Sequence, residues 1–382
     1  MADERMPITP AVLTWARERA GFEIDALSHT AGFKEIATWE KGDARPTYRQ
    51  LEALADRFEV PVAVFFFSDP PEVSDFEPEF RTLGPDAFHD LTARMRFLME
   101  KADYRNRKRQ ALYAMSRAPK RLIVHDLRIS PDDSPESLAA EVREYLGITI
   151  EEQFDWANRH KSVENWRNMF ADVGVMVTVL TFRQMDYIGF ALYDPRFPLI
   201  CIDASEHRWS GGILTMCHSL VHLLFHTSGL DKRDDAYLSD LDPESRQVEE
   251  ICNAASTEIV VPSRSLESEF MNRLKSGNLA DITLRLSHLF DVPAEWMNNR
   301  LLELNLITES QHRETLEMWA RRRIGGGGGG GPDDIVLDEL GEPFIKLAFE
   351  CFDNGLFDED TLADYVELPR LYLDDLRELL AR

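Results

Sequence analysis

Between residues 8 and 67, apolar side chains recur at helical spacing and are repeatedly cut by glycine or proline, which predicts five short helices. Ile8-Thr9-Pro10 offers a capping threonine followed by proline at the first helical position, and Leu13, Ala16 and Ala20 continue the pattern to Gly21. Leu27 lies in a second helix ended by Gly32, Phe33 to Lys41 forms a third ended by Gly42, and Pro46-Thr47 opens a fourth that carries Leu51, Leu54, Ala55 and Phe58. An apolar turn from Pro61 through Phe67 completes the set. Two short helices about a glycine turn, braced by flanking helices, make a helix-turn-helix. Further on, helices are predicted over 87–117, from Ser134-Pro135 to Gly147, and over 160–173. The pattern then becomes rich in β-branched and aromatic residues at 174–180, 187–193 and 198–202, giving three short strands. A helix carrying His218 follows. Another runs from Pro243 to Val261, two more flank Asp291-Val292-Pro293 within 278–305, and the last fifty residues are helical. The fold class is mainly α with a small β-sheet (α+β).

Composition supplies the divisions. Glu72 to Pro85 is acidic and proline-containing, as linkers are, and Gly325 to Gly331 is flexible by composition. The expected organisation is a helix-turn-helix over 1–70, a linker and long basic helix over 71–130, a metal-motif domain over 131–275, and a helix-turn-helix-like extension over 276–324. A glycine linker over 325–331 and an acidic helical unit over 332–382 complete it. The four cysteines, Cys201, Cys217, Cys252 and Cys351, form no C-x-x-C pair, which fits a reducing cytoplasm. No apolar stretch approaches 18 residues, so neither a membrane span nor a signal peptide is expected.

The formal net charge of −25 would repel nucleic acid if it were spread evenly. It is segregated instead. Arg94, Arg96, Lys101, Arg105, Arg107, Lys108, Arg109, Arg117, Lys120 and Arg121 face only Glu100 and Asp103 in their stretch, whereas 332–382 carries fifteen acidic residues and four basic ones. The basic run reads as a solvated face, as a contact with nucleic acid or an acidic partner, or as a dock for the acidic tail.

The candidate chemistry lies in Thr215-Met216-Cys217-His218-Ser219-Leu220-Val221-His222. Histidines spaced i, i+4 project from one helix face, as two ligands of a tetrahedral metal must. The usual pattern, His-Glu-x-x-His, places a general base beside the first histidine, and Ser219 stands there instead. A hydroxyl lacks the basicity to take a proton from water near neutral pH. The best third ligand is Glu249, on the next long helix, which would complete a site for one zinc ion. His226 reads as a supporting or capping residue and Glu250 as pointing away from the site. The competing reading keeps both histidines as packing residues on an apolar helix. In the helix-turn-helix, Lys34, Thr38, Lys41, Arg45 and Arg49 are the candidate DNA contacts, although residues 1–67 hold eight basic and eleven acidic side chains.

Trp15-Ala16-Arg17-Glu18-Arg19-Ala20-Gly21, Trp39-Glu40-Lys41-Gly42, Pro46-Thr47, Leu51, Leu54-Ala55 and Pro61 through Phe66 resemble an XRE-type (Cro-like) helix-turn-helix. Glu79-Phe80-Arg81, Val142-Arg143, Leu146-Gly147-Ile148, Gly189-Phe190 and Pro198 through Asp203 resemble the ImmA/IrrE family of metallopeptidase-like proteins. So do Thr215, His218-x-x-x-His222, Glu249-x-x-Cys252-Asn253 and Pro262. The resemblance implies a cytoplasmic regulator tied to mobile elements, stress responses or toxin–antitoxin pairs, with zinc on His218, His222 and Glu249. His226, Asn253 and Thr215 would support the ligands. Ser219 and Gly211-Gly212 depart from the family pattern, which has the catalytic glutamate at the first position and often a basic residue before the active-site helix. The expectation is a peptidase-like protein with impaired catalysis that binds a repressor or toxin. Its alternatives are a working zinc endopeptidase that cuts a helix-turn-helix repressor, and a DNA-binding autoregulator. Operator DNA is a possible second partner, and a homodimer is among the assemblies allowed.

Overall fold

A computed structural model describes residues 5–58, 60–71, 93–116, 121–158, 161–182, 186–207, 211–232, 235–274, 277–321 and 332–380. Glu79-Phe80-Arg81 and Gly325 to Gly331 lie outside these residues. The chain forms two compact units, one from the described residues up to 71 with 93–103, the other from 104 onward.

In the first unit, helices Pro10–Arg19, Ile24–Ser28, Ile36–Glu40 and Tyr48–Phe58 precede a 3-10 turn, Val62–Phe66. Leu13, Leu27, Ile36, Trp39, Leu51, Leu54, Phe58 and Phe65 form their shared core. Two local expectations shift. Thr9 precedes the first helix but does not cap it through its side chain, because its hydroxyl donates to the Phe67 carbonyl at 2.6 Å. The third helix starts at Ile36 because Phe33 is drawn into the core from a turn, with its amide bonded to the Thr30 carbonyl. Arg17 is turned inward, donating from Nε (2.7 Å) and Nη2 (3.2 Å) to the two oxygens of Glu40. The DNA-contact candidates Lys34, Thr38, Lys41, Arg45 and Arg49 are all exposed.

The second unit is mainly helical around a four-stranded mixed sheet in the order β1-β3-β2-β4. β1 (Met176–Leu180) runs parallel to β3 (Leu199–Asp203), while β2 (Tyr187–Leu192) is antiparallel to both β3 and β4 (Gly229–Lys232). β4 was not anticipated. Gly-Leu-Asp-Lys has no strand propensity of its own, and pairing with β2 is what extends it. The buried helix Gly211–Leu224 packs on the sheet and against helix Pro243–Val260. Local signals act as read elsewhere. Ser134 accepts from the Ser137 amide at the start of helix Pro135–Leu146, and Gly147, at φ 75°, ends it in the left-handed conformation.

Part of the basic run docks on the acidic tail. Helix Ala93–Met115 carries Arg105, whose side chain is fully buried. It donates to Glu367 at 3.1 and 2.8 Å, to Glu339 at 2.5 Å, to Thr178 Oγ1 at 2.9 Å and to the Val179 carbonyl at 3.1 Å. Lys108 pairs with Asp364 at 3.4 Å. Helix Pro332–Leu340 thereby lies against β1. Among the described residues no helix is long and apolar enough to cross a membrane.

Candidate metal centre

Helix Gly211–Leu224 is buried from Gly212 onward except at Leu214, and it carries His218 and His222 on one face. Their Nε2 atoms lie 3.0 Å apart. Glu249 reaches them from helix Pro243–Val260, with Oε2 3.5 Å from each. A second carboxylate arrives from β4, where Asp231 Oδ1 lies 3.3 Å from His218 Nε2. Donors bound tetrahedrally to zinc at protein bond lengths are separated by about 3.4 Å, so these spacings are those of ligands around one small cation. His218, His222 and Asp231 together form a cluster able to chelate a divalent metal.

Both carboxylates are buried, Asp231 at 4 % and Glu249 at 2 % exposure. Burial opposes the charge on His218. The Asp231 carboxylate, then Glu249 and Asn253, outweigh burial and raise its pKa from 6.5 to about 9. Glu249 is driven the other way: burial would raise its pKa, but His222 and His218 pull it well below the usual carboxylate range. Asp231 is raised by burial, only partly offset by His218, His222 and a hydrogen bond from Ser219. Two atoms of the cluster, Asp231 Oδ1 and His222 Nδ1, have no hydrogen-bond partner among the described residues.

The sequence-derived residues separate here. Ser219, at the position of a general base, donates from Oγ to Asp231 Oδ2 at 2.5 Å. Asn253 hydrogen-bonds His218. Thr215 lines the cleft beside His218, with its hydroxyl 3.4 Å from the Gly211 carbonyl. His226 stands apart from the cluster. It ends the helix at φ 58°, packs tilted against Tyr193 with ring centres 5.0 Å apart, and donates to the Val124 carbonyl at 2.9 Å. Exposed Glu250 lines the same cleft. Sequence reasoning missed Asp231 and also Tyr237, whose hydroxyl donates to Glu249 Oε2 at 3.0 Å. Asp231, Asp234 and Asp235 crowd one short stretch, and only the pairing of β4 selects the first.

The chain matches no known protein-family model. It matches no curated protein sequence either.

Two glycines make room for the cluster. A Cβ on Gly229 would sit 2.6 Å from His222 Cγ and Cδ2. A Cβ on Gly189, which pairs with Asp231 across the strands, would sit 2.7 Å from Asp231 Oδ2 and from the Thr215 methyl. Gly229→Ala should therefore push the His222 ring off its position. We expect metal affinity to fall by about 10- to 100-fold, the range typical when a ligand's support is disturbed. Competition against a chromophoric chelator measures this, and an unchanged affinity would mean that the ring does not need its present seat.

Proposed function

We propose that the chain is a zinc-binding regulatory protein whose metallopeptidase-like centre serves recognition of a protein partner rather than efficient cleavage. The observation that carries this is the convergence of His218, His222 and a buried carboxylate beside a Ser219 already engaged as a donor to Asp231. Zinc held there with a coordination position open would polarise a carbonyl and acidify water. The position after His218 in the chain holds Ser219 instead of a glutamate that could take up a proton, and loss of such a base costs about 100- to 10,000-fold in rate. A cleft of about 690 Å³ reaches the centre between Gly211–Leu224, β4 and the later helices. Leu214, Ile188 and Trp296 offer it apolar contacts, and the acidic side chains Glu136, Glu250, Glu258 and Glu303 outnumber the basic Lys232 and Arg300 along it. Such a surface suits a basic polypeptide, as a DNA-binding repressor or a toxin directed at nucleic acid would be. The four buried cysteines, none of them in a disulfide among the described residues, suit a reducing cytoplasm.

Elemental analysis of purified full-length protein tests the metal, with zinc near one equivalent expected. Incubation of the zinc-loaded chain with the products of neighbouring genes tests the rest: they should be captured and left intact. Cleavage that a chelator abolishes would replace this reading with that of an active endopeptidase, for which the open cleft at His218 is the favouring observation.

DNA binding is a second reading, supported by the exposure of Lys34, Thr38, Lys41, Arg45 and Arg49 on the helix-turn-helix. A band shift on the promoter of its own gene should weaken steeply with salt and vanish in Lys34→Glu with Lys41→Glu. Retention by the double variant would rule out those contacts.

A further inference from the structure

We infer that Asp231 is a fourth protein ligand of the metal, so that His218, His222, Glu249 and Asp231 close the coordination shell. The inference rests on the reading of this centre as a divalent-metal site. In it, Ser219 is the positioning residue that holds the fourth ligand, and its presence where a base is usual follows from that task.

Geometry comes first. Asp231 Oδ1 lies 3.3 Å from His218 Nε2, close to the edge of a tetrahedron of zinc ligands. That oxygen is buried and, beyond its 3.3 Å approach to His218, has no hydrogen-bond partner among the described residues, whereas its twin, Oδ2, is held by the Ser219 hydroxyl at 2.5 Å. A carboxylate with one oxygen clamped by a hydroxyl and the other turned to the imidazoles is oriented as metal-bound carboxylates are. An unsatisfied buried acceptor also costs free energy, which a cation at this point would relieve.

The scaffold agrees. Asp231 is brought in by the four-residue β4, and its cross-strand partner Gly189 leaves only enough room for the carboxylate. Charge agrees as well. Asp231 and Glu249 are two buried anions in one small volume, and a divalent cation with two neutral imidazoles makes the group neutral. With three ligands only, Asp231 would remain beside the ion as a second, uncoordinated buried anion. A glutamate at position 219 would add yet another carboxylate against Asp231, whereas a serine adds a donor.

Four protein ligands leave no position for water or substrate, which is the arrangement of structural rather than catalytic zinc. The ion would then lock β4 and the two long helices together and shape the wall of the cleft.

The test uses the full chain loaded with cobalt(II) in place of zinc. The expected result is the intense visible absorption of four-coordinate cobalt, unchanged by millimolar azide or acetohydroxamate. Asp231→Asn should bind metal at least about 100-fold more weakly, and its cobalt spectrum should respond to azide. Ser219→Ala should weaken binding about tenfold while keeping the four-coordinate spectrum. A wild-type spectrum that shifts with azide shows an open position and overturns the inference, even if the variants fail to fold. So does Asp231→Asn with wild-type affinity and spectrum; zinc-dependent peptide cleavage lost in that variant would make Asp231 a base instead. Wild-type protein that takes up no metal overturns the proposed function, a result distinct from these.

Discussion

Zinc at a hundredfold excess over its Kd should raise the melting temperature of the second unit by roughly 5–10 °C, and His222→Ala should erase the shift. The magnitude follows from mass action. Ligand at a hundred times Kd stabilises the folded state by about 2.7 kcal/mol, and in a domain of this size each kcal/mol moves the midpoint by about 2–4 °C. His222 is the right residue to remove because its ring is fully buried and faces both His218 and Glu249. Thermal-shift titration of wild type and variant with zinc, then with chelator, gives the answer. Equal zinc shifts in the two proteins would place the ion elsewhere.

The same experiment has a pH signature. In the metal-free protein the His218 pKa is raised from 6.5 to about 9, because Asp231, Glu249 and Asn253 together outweigh the cost of burial. A group whose pKa is raised by folding stabilises the fold fully below its unfolded pKa. That contribution is lost as pH climbs through the folded value. The apo protein should therefore lose stability between pH 6.5 and about 9. Zinc must displace the His218 proton, so its apparent affinity should rise roughly tenfold per pH unit over the same window and level off above it. The apo melting temperature falls while the increment due to zinc grows. An increment that stays flat from pH 6.5 to 9 would show that His218 does not coordinate.

How much of this could be read from the sequence depended on how local the cause was. The helices of the first unit were legible because Gly21, Gly32 and Gly42 take positive φ values that stop helices, and because Leu13, Leu51, Leu54 and Phe58 repeat at core spacing. The His218–His222 face was legible because two residues on one helix need only the helical period to meet. Glu249 required the pairing of two long helices, which their order made a fair guess. Asp231 could not be read. It joins the centre through the register of β4 on β2 and the absence of a side chain at Gly189, and neither leaves a mark in the local pattern. The destination of the basic run was likewise open. Arg105 meets Glu339 and Glu367 across more than two hundred residues of chain, so the charge segregation showed that a dock was possible without saying where it was.

That dock carries the second large effect. Arg105→Ala should destabilise the second unit by about 2–4 kcal/mol. Removing one partner of a buried ion pair costs about 3–5 kcal/mol because the remaining charge is stranded. Here the two carboxylates keep about a quarter of their side-chain surface in water (Glu339 29 %, Glu367 26 %), so part of that penalty is relieved. The Val179 carbonyl and Thr178 hydroxyl also lose a donor, and a guanidinium-sized space opens beneath β1. The pair of exposed Lys346 with half-buried Glu342 serves as the control, since Lys346→Ala removes a solvent-screened contact worth about 0–1 kcal/mol. Urea unfolding should separate the two variants clearly. Because Pro332–Leu340 shields the edge strand β1, hydrogen exchange should also accelerate at Met176–Leu180 in Arg105→Ala but not in Lys346→Ala. If the two variants unfold together, the basic helix and the acidic tail are held by apolar packing around Leu112, Ile345 and Cys351 rather than by the buried guanidinium.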